Sequence, residues 1–204
     1  MNYCIMATYK CNWDCPYCIT NTHSQKEVTR EMLIEKLNEI QPNSEVSISG
    51  GEPGLLTKES IDLIFNDLIE KNCKIKVNTN GLFFKKYQEY DSKIYSYLYH
   101  FSDNLNLNED CFIPDIDKNK ITFMLVITNE NCARLGDFLE KYNQIKFSLF
   151  AAVKNNLEDD RYILSKRNAF DIFKKYKHTI NGDSYKTLLM TPKETDCNKT
   201  LNRL

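Results

Sequence analysis

The stretch EVSISGGEPGLLTKESIDLIFNDLI, residues 45–69, contains a strand, a turn and a helix in immediate succession. In residues 45–49 apolar and polar side chains alternate, which is the pattern of a strand with one buried face. The turn residues GGEP, at 50–53, interrupt this pattern, and Thr57 is placed to cap the helix that follows. The apolar side chains of that helix recur at helical spacing: Ile61, Ile64, Phe65, Leu68 and Ile69.

The same order of elements repeats along the chain. We predict six strands, at residues 3–8, 45–49, 74–78, 104–108, 121–128 and 145–153. Helices are predicted after the cap residues Thr29 and Thr57, and at residues 132–142 and 159–177. Residues 84–100 are rich in tyrosine, and we predict that they are partly helical. Their tyrosines, at 87, 90, 95, 97 and 99, would then form a packed helix face.

This alternation of strands and helices predicts an α/β fold with parallel strands. A right-handed series of such units winds into a barrel, but six units fall short of the usual eight. We therefore expect a partial (β/α)6 TIM-like barrel with its active site at the C-terminal ends of the strands. Residues 1–177 would form this domain, and residues 178–204 would form a C-terminal tail placed to cover the barrel or its open edge.

Composition excludes several classes of function. The chain has 204 residues, of which 42% are hydrophobic, and a net charge of −1. It therefore has no overall charge bias toward nucleic acid or membrane surfaces. No apolar run approaches the roughly 18 residues of a membrane span, and the start lacks the pattern of a signal peptide. We expect a soluble, cytoplasmic protein.

Three thiols lie close together in CNWDCPYC, residues 11–18. A disulfide framework is disfavoured for two reasons: the thiols of Cys11, Cys15 and Cys18 are too close together, and their odd number leaves one unpaired. A metal centre is the natural alternative. Structural zinc needs a fourth ligand, for which the chain offers Cys4, His23 or Cys197. A [4Fe–4S] cluster with three cysteines would leave one iron open to a small molecule. The cysteine spacing alone leaves both options open.

The remaining cysteines are scattered singly along the chain. They are Cys4, Cys73, Cys111, Cys132 and Cys197. We interpret each as a small buried residue rather than as a ligand, because free cysteine packs as a small hydrophobe.

C-x3-C-x-aromatic-C followed, after the next strand, by GGEP resembles the radical S-adenosylmethionine (SAM) superfamily. The resemblance covers about residues 3–177 and implies a [4Fe–4S] cluster held by Cys11, Cys15 and Cys18 as metal ligands and catalytic residues. It implies that SAM binds the fourth iron through its amino and carboxylate groups. Reductive cleavage would yield methionine and a 5′-deoxyadenosyl radical, which abstracts hydrogen from a substrate. Such a protein would be sensitive to oxygen.

The resemblance also implies a SAM pocket at the strand ends. Tyr17 would lie near the adenine, and residues 50–52 near the methionine amino group, although Glu52 could instead be an exposed acid at the start of a helix. Asn106 and Asn108 would face the ribose. The predicted cofactor-binding residues are Tyr17, Gly50, Gly51, Glu52, Pro53, Asn78, Thr79, Asn106, Asn108 and Thr128.

The substrate stays open between a peptide and a small molecule or cofactor precursor. The resemblance implies a one-electron donor such as flavodoxin or ferredoxin as a partner. The compact length also suits an activase that installs a glycyl radical on another enzyme. Outside enzymes, the alternatives are a non-catalytic iron–sulfur protein and a zinc-binding interaction module.

Overall fold

The structure, a computed structural model, describes residues 1–15, 17–18, 28–100, 115–152 and 162–176. Six strands form one sheet, in which every neighbouring pair is parallel and the spatial order follows the chain order. The strands are β1 (Asn2–Thr8), β2 (Glu45–Gly50), β3 (Lys74–Thr79), β4 (Ile94–His100), β5 (Ile121–Ile127) and β6 (Lys146–Ala151). Within the described ranges no pairing joins β6 to β1, so the sheet is open. This confirms the predicted α/β partial barrel.

In the described ranges helices follow β1, β2, β3, β5 and β6, and parallel neighbours need such crossover connections. They are α1 (Arg30–Asn38), α2 (Lys58–Glu70), α3 (Leu82–Lys86), α4 (Leu135–Lys141) and α5 (Lys166–Tyr176). The two predicted caps are confirmed, because the side chain of Thr29 accepts from the N–H of Met32 and that of Thr57 from the N–H of Ser60. Both caps satisfy N–H groups that have no partner inside the helix.

The prediction for residues 84–100 was wrong at its C-terminal end. Helix α3 and the 3-10 turn Gln88–Lys93 account for the helical part, but Ile94–His100 is a strand. Tyr97 and Tyr99 are buried on this strand and pack on Phe84, with ring centroids 4.6 and 5.1 Å apart. A register shift beside Ile94 interrupts the alternation and hides the strand pattern.

Three other predictions, for a strand, for the start of a helix and for a helix face, had different outcomes. The predicted strand at residues 104–108 lies outside the described residues. The last helix was predicted from residue 159, but α5 begins at Lys166. The hydroxyl of Ser165, which directly precedes this helix, accepts a hydrogen bond from the N–H of Asn168 at 3.1 Å, as the side chain of a helix cap does. Ile69 was predicted on the apolar face of α2, yet it is 41% exposed. The predicted boundary at residue 177 and the tail stay predictions.

The core lies between the sheet and its helices. Phe123 of β5 is at its centre, with four aromatic rings at centroid distances of 5.5–6.2 Å. Alternate residues of the strands point to the opposite face. There, side chains such as Ser49, Asn78 and Met124 are only partly buried. This second face leads to the strand ends, where the candidate site lies. Among the described helices, none has the length and apolarity to cross a membrane.

Candidate active site

The C-terminal ends of the parallel strands bring several separate segments to one rim. The cysteine loop, residues 9–18, follows β1, and GGEP follows β2. Asn80 and Gly81 follow β3, and His100 ends β4. Because parallel strands all end at the same edge, segments that are far apart in sequence become neighbours here.

Backbone hydrogen bonds join the GGEP turn to the end of β1 and to the start of the cysteine loop. The N–H of Gly51 donates to the carbonyl of Thr8 at 2.7 Å, and the N–H of Glu52 donates to the carbonyl of Lys10 at 2.8 Å. A Cβ on Gly50, which has φ +121°, would lie 2.2 Å from the Thr8 oxygen. A Cβ on Gly51 would lie 2.1 Å from the Lys10 oxygen. Both positions therefore require glycine because the neighbouring backbone occupies the space of a side chain.

Glu52 is 1% exposed and joins this turn to the end of β3. Its Oε1 accepts from the N–H of Gly54 at 2.8 Å, from the hydroxyl of Thr79 at 2.7 Å and from the N–H of Phe83 at 3.2 Å. Its Oε2 accepts from the N–H of Asn80 at 2.6 Å. Burial raises the pKa of Glu52, and these four donors oppose the rise. The alternative interpretation of Glu52 as an exposed acid is wrong.

Cys11 lies at the exposed edge of the loop and accepts two weak hydrogen bonds. The N–H of Trp13 donates to its Sγ at 3.4 Å, and Nδ2 of Asn80 donates to it at 3.8 Å. The same Asn80 nitrogen also donates to Oδ1 of Asn12 at 2.9 Å. Partial loss of water around the Cys11 thiol is the main reason that its pKa is raised; the hydrogen bond from the N–H of Trp13 opposes this rise, and the nearby charge of Glu52 adds to it.

Cys15 and Cys18 turn inward. The N–H of Cys18 donates to the carbonyl of Cys15 at 3.0 Å, which closes a tight turn between them. Cys15 is 8% exposed, and Cys18 is partly buried. Both belong to a small apolar cluster, separate from the main core, formed by Cys15, Tyr17, Ala152, Trp13, Cys18 and Val126. Two of the three thiols thus lie in apolar surroundings between the loop and the ends of β5 and β6.

His100 is a residue that the sequence analysis missed. Its Nε2 shares a hydrogen bond of 3.2 Å with the hydroxyl of Tyr17, and the donor depends on the tautomer of the ring. Its ring also lies 5.6 Å from that of Trp13, edge to face. Burial lowers the pKa of His100 to about 4. The signal that could have found it is the polar residue at the end of IYSYLYH, had this segment been predicted as a strand.

The remaining predicted residues occupy different surroundings. Nδ2 of Asn78 donates to the hydroxyl of Ser49 at 3.0 Å on the open face of the sheet. Thr79 is buried and directs its hydroxyl to Glu52. Thr128 is 2% exposed and forms a turn with Asn131, whose N–H donates to the Thr128 hydroxyl at 3.2 Å. Asn106 and Asn108 lie outside the described residues.

Pro53 is buried and begins a 3-10 turn, Pro53–Leu55, that follows Glu52. The structure thus brings the cysteines, Tyr17, the GGEP turn and the end of β3 together at one rim. Thr128 lies at the end of β5, close along the chain to Val126 of the apolar cluster.

The donor set fits an iron–sulfur cluster. It consists of three thiols on one loop, two of them in apolar surroundings, beside a glycine turn with no room for side chains. In the described ranges, no three Cys, His, Asp or Glu side chains are grouped as around a single metal ion. In a [4Fe–4S] cluster the cysteines bind different irons, so the sulfurs need not converge on one point.

Comparison with known families identifies the class. Residues 5–111 match the radical SAM superfamily, which is just over half of the chain. The chain therefore belongs to the radical SAM superfamily, whose cofactors are a [4Fe–4S] cluster and SAM. The matched range contains the second half of β1, the cysteine loop, the GGEP turn and strands β2 to β4.

Several solved structures have a similar fold. Native anSMEcpe with bound AdoMet has a TM-score of 0.62 and 18% identity, with 87% of this chain and 59% of that chain covered. Its complex with AdoMet and the Kp18Cys peptide has a TM-score of 0.61 and 19% identity, covering 86% of this chain and 59% of that chain. SuiB from Streptococcus suis bound to S-adenosylmethionine has a TM-score of 0.56 and 18% identity, covering 87% and 48%.

At these identities the likeness shows the fold. The chain spans between 48% and 59% of the length of these three structures. Comparison with curated proteins gives no match.

Proposed function

We propose that this protein is a radical SAM enzyme in which Cys11, Cys15 and Cys18 bind the [4Fe–4S] cluster and the strand ends beside them bind SAM. The observation that carries this proposal is a pair of backbone hydrogen bonds, which join GGEP to the end of β1 at 2.7 Å and to the start of the cysteine loop at 2.8 Å. It holds a glycine turn and three thiols at one rim, which a purely structural cluster would not need.

When bound and reduced, the cluster supplies the electron that cleaves SAM to methionine and a 5′-deoxyadenosyl radical, which abstracts hydrogen from a substrate. The chain's own residues have to position and shield these groups. Tyr17 and Trp13 place aromatic surface beside Cys15 and Cys18, of which Cys15 is buried and Cys18 partly buried. The buried carboxylate of Glu52 orients the turn whose backbone would line the methionine part of SAM.

We propose that SAM binds beside the GGEP turn, on the partly buried face of the sheet at the strand ends. Asn78, with Ser49 as its partner, is the predicted polar residue that lies on this partly exposed face. Thr79 and Thr128 are buried and take part in internal hydrogen bonds, so we propose that they shape the pocket through Glu52 and through the turn after β5. Asn106 and Asn108 stay predicted ribose contacts.

The substrate class is proposed no more finely than a peptide or a small cofactor precursor. The anSMEcpe structure contains a bound Kp18Cys peptide, but that protein is 19% identical to this chain, so its peptide does not define the substrate of this chain. A one-electron donor such as flavodoxin or ferredoxin would supply the electron. A reducing compartment, such as the cytoplasm, suits eight cysteines and an open cluster.

The test is anaerobic reconstitution with iron and sulfide, followed by dithionite and SAM, with 5′-deoxyadenosine measured by mass spectrometry. We expect 5′-deoxyadenosine in amounts that depend on SAM and on dithionite. If a cluster forms without product, SAM binding measured by calorimetry separates a substrate-gated enzyme from a non-catalytic iron–sulfur protein. Binding of one zinc per chain without a cluster would contradict the proposal and favour the interaction module.

A further inference from the structure

The cysteine loop extends across the C-terminal ends of the strands, from β1 to β4. It leaves β1, and its aromatic residues contact His100 at the end of β4. Three strand spacings separate β1 from β4, which is roughly 14 Å along a flat sheet. Contact between these two points therefore fixes the loop over the strand ends rather than beside its own strand.

The contact has both a polar and an apolar part. Tyr17 is 7% exposed, and its hydroxyl is hydrogen-bonded to Nε2 of His100 at 3.2 Å. The His100 ring lies 6.0 Å from the ring of Tyr17 and 5.6 Å from that of Trp13. Burying a hydroxyl costs free energy unless it is hydrogen-bonded. The loop conformation in which the Tyr17 hydroxyl is hydrogen-bonded to His100 is therefore favoured over one in which this bond is broken.

The two aromatic residues are interleaved with the thiols. Trp13 lies between Cys11 and Cys15 in the sequence, and Tyr17 lies between Cys15 and Cys18. An anchor at both aromatic positions restricts the backbone on either side of Cys15. Pre-ordering of ligands lowers the entropic cost of binding a cluster.

We propose that His100 is a positioning residue that fastens the cysteine loop across the strand ends through Tyr17 and Trp13, so that the three thiols are held ready for the cluster. This role rests on the proposed function only where it concerns the cluster, because the contacts of His100 with Tyr17 and Trp13 are made by side chains of the chain alone. His100 touches the aromatic residues and acts on the thiols through them.

The neutral form of the imidazole suits this role. Burial keeps the His100 ring uncharged at neutral pH, because its pKa is lowered to about 4. An uncharged ring presents one nitrogen as a donor and the other as an acceptor, and it packs against aromatic faces without the cost of burying a charge.

The first experiment uses Trp13, which is the chain's single tryptophan. Its fluorescence emission in the full-length apoprotein reports the surroundings of the loop. We expect His100→Ala and Tyr17→Phe each to shift the emission to longer wavelength, because the loop becomes more exposed to water. The double variant should shift it no further than His100→Ala alone, because both changes remove the same contact. His100→Gln, which can hydrogen-bond the hydroxyl, should restore part of the wild-type emission.

The second experiment measures the reconstituted protein. We expect iron release to a chelator to be about fivefold faster in His100→Ala and Tyr17→Phe, the factor that corresponds to one net hydrogen bond. Tyr95→Phe is the matched control, since Tyr95 lies on the same strand and is 55% exposed. That variant should behave as wild type in both experiments.

The outcomes separate the two proposals. Unchanged Trp13 emission in both His100→Ala and Tyr17→Phe would overturn the positioning role, whatever the cluster does. Independent, additive shifts would also overturn it. If wild type binds no cluster, the proposed function fails, and the fluorescence of the apoprotein still decides whether His100 holds the loop.

Discussion

The carboxylate of Glu52 accepts a hydrogen bond from the backbone N–H of Asn80 at 2.6 Å, which joins the turn after β2 to the turn after β3. The side chain of Asn80 then donates to Sγ of Cys11 at 3.8 Å. One residue thus connects the buried acid of the glycine turn to the first thiol of the cysteine loop. Hydrogen bonds therefore join the two turns and the cysteine loop, and a substitution in one of these segments should affect the stability or the ligand binding of the others.

Replacing Glu52 by Gln should destabilise the whole rim. The amide keeps a single acceptor oxygen, and its NH2 group would face an N–H donor of the protein. We expect the free energy of unfolding of the apoprotein to fall by roughly 2–3 kcal/mol, the cost of unsatisfied buried donors. Urea denaturation followed by circular dichroism measures this. Glu70→Gln, at an exposed position of α2, is the control and should change little. Equal stability of Glu52→Gln and wild type would contradict the structural role of the acid.

Replacing Gly51 by Ala should release iron as well as SAM. The new Cβ would lie 2.1 Å from the Lys10 carbonyl, so the start of the cysteine loop must move. We expect the reconstituted variant to lose most of its iron and its SAM binding together. Gly136→Ala is the matched control, because its Cβ would meet only the end of the Tyr176 side chain, at 2.8 Å. A Gly51→Ala protein with full iron content and impaired SAM binding would show that the glycine serves the ligand alone.

Replacing any one of Cys11, Cys15 or Cys18 by Ala should abolish SAM cleavage and remove most of the iron. Each thiol is proposed to bind a different iron of the cluster, and none of the others can take its place. Iron analysis and the yield of 5′-deoxyadenosine measure this. Cys132→Ala is the control, since that thiol donates to the Asn129 carbonyl at 3.4 Å, away from the loop. Unchanged iron in the three loop variants would refute the assignment of the ligands.

Replacing Asn80 by Ala should lower the reduction potential of the cluster. Hydrogen bonds to cluster sulfurs raise the potential, because they stabilise the more negative reduced form. We expect a decrease on the order of tens of millivolts, measured by redox titration with electron paramagnetic resonance. Asn12→Ala removes the other acceptor of the same nitrogen, at 2.9 Å, and should leave the potential equal or slightly higher. An unchanged potential in Asn80→Ala would show that the 3.8 Å contact is not a functional hydrogen bond.

Acid should destabilise the apoprotein through His100. Its pKa is about 4 when folded, against 6.5 as the ordinary value. Between these values the unfolded chain binds more protons, so stability decreases as the pH falls from 6.5 to 4. We expect a loss of at most about 3 kcal/mol at pH 4 from this residue. Denaturation of wild type and His100→Gln at several pH values measures it, and the variant should show a smaller slope. Identical slopes would mean that His100 takes up a proton without disturbing the fold.

Patterns that depend on near neighbours in the chain were sufficient for much of the fold. The caps at Thr29 and Thr57 and the alternation in residues 121–127 follow from local geometry, and the structure contains the predicted elements at these places. The strand Ile94–His100 was missed because its pattern is interrupted next to Ile94. Its tyrosines fit a helix face or a buried strand equally well until the partners are known.

The candidate site divides in the same way. The cysteine spacing and the GGEP turn are local signals, and by themselves they determined the superfamily and its cofactors. Only the tertiary structure decided what these residues touch: the Lys10 carbonyl against Gly51, four donors around Glu52, and His100 on Tyr17, which is 83 residues distant in the chain. Local order depends on hydrogen bonds and side-chain periods within a few residues, whereas these contacts arise when parallel strands bring distant turns to one edge.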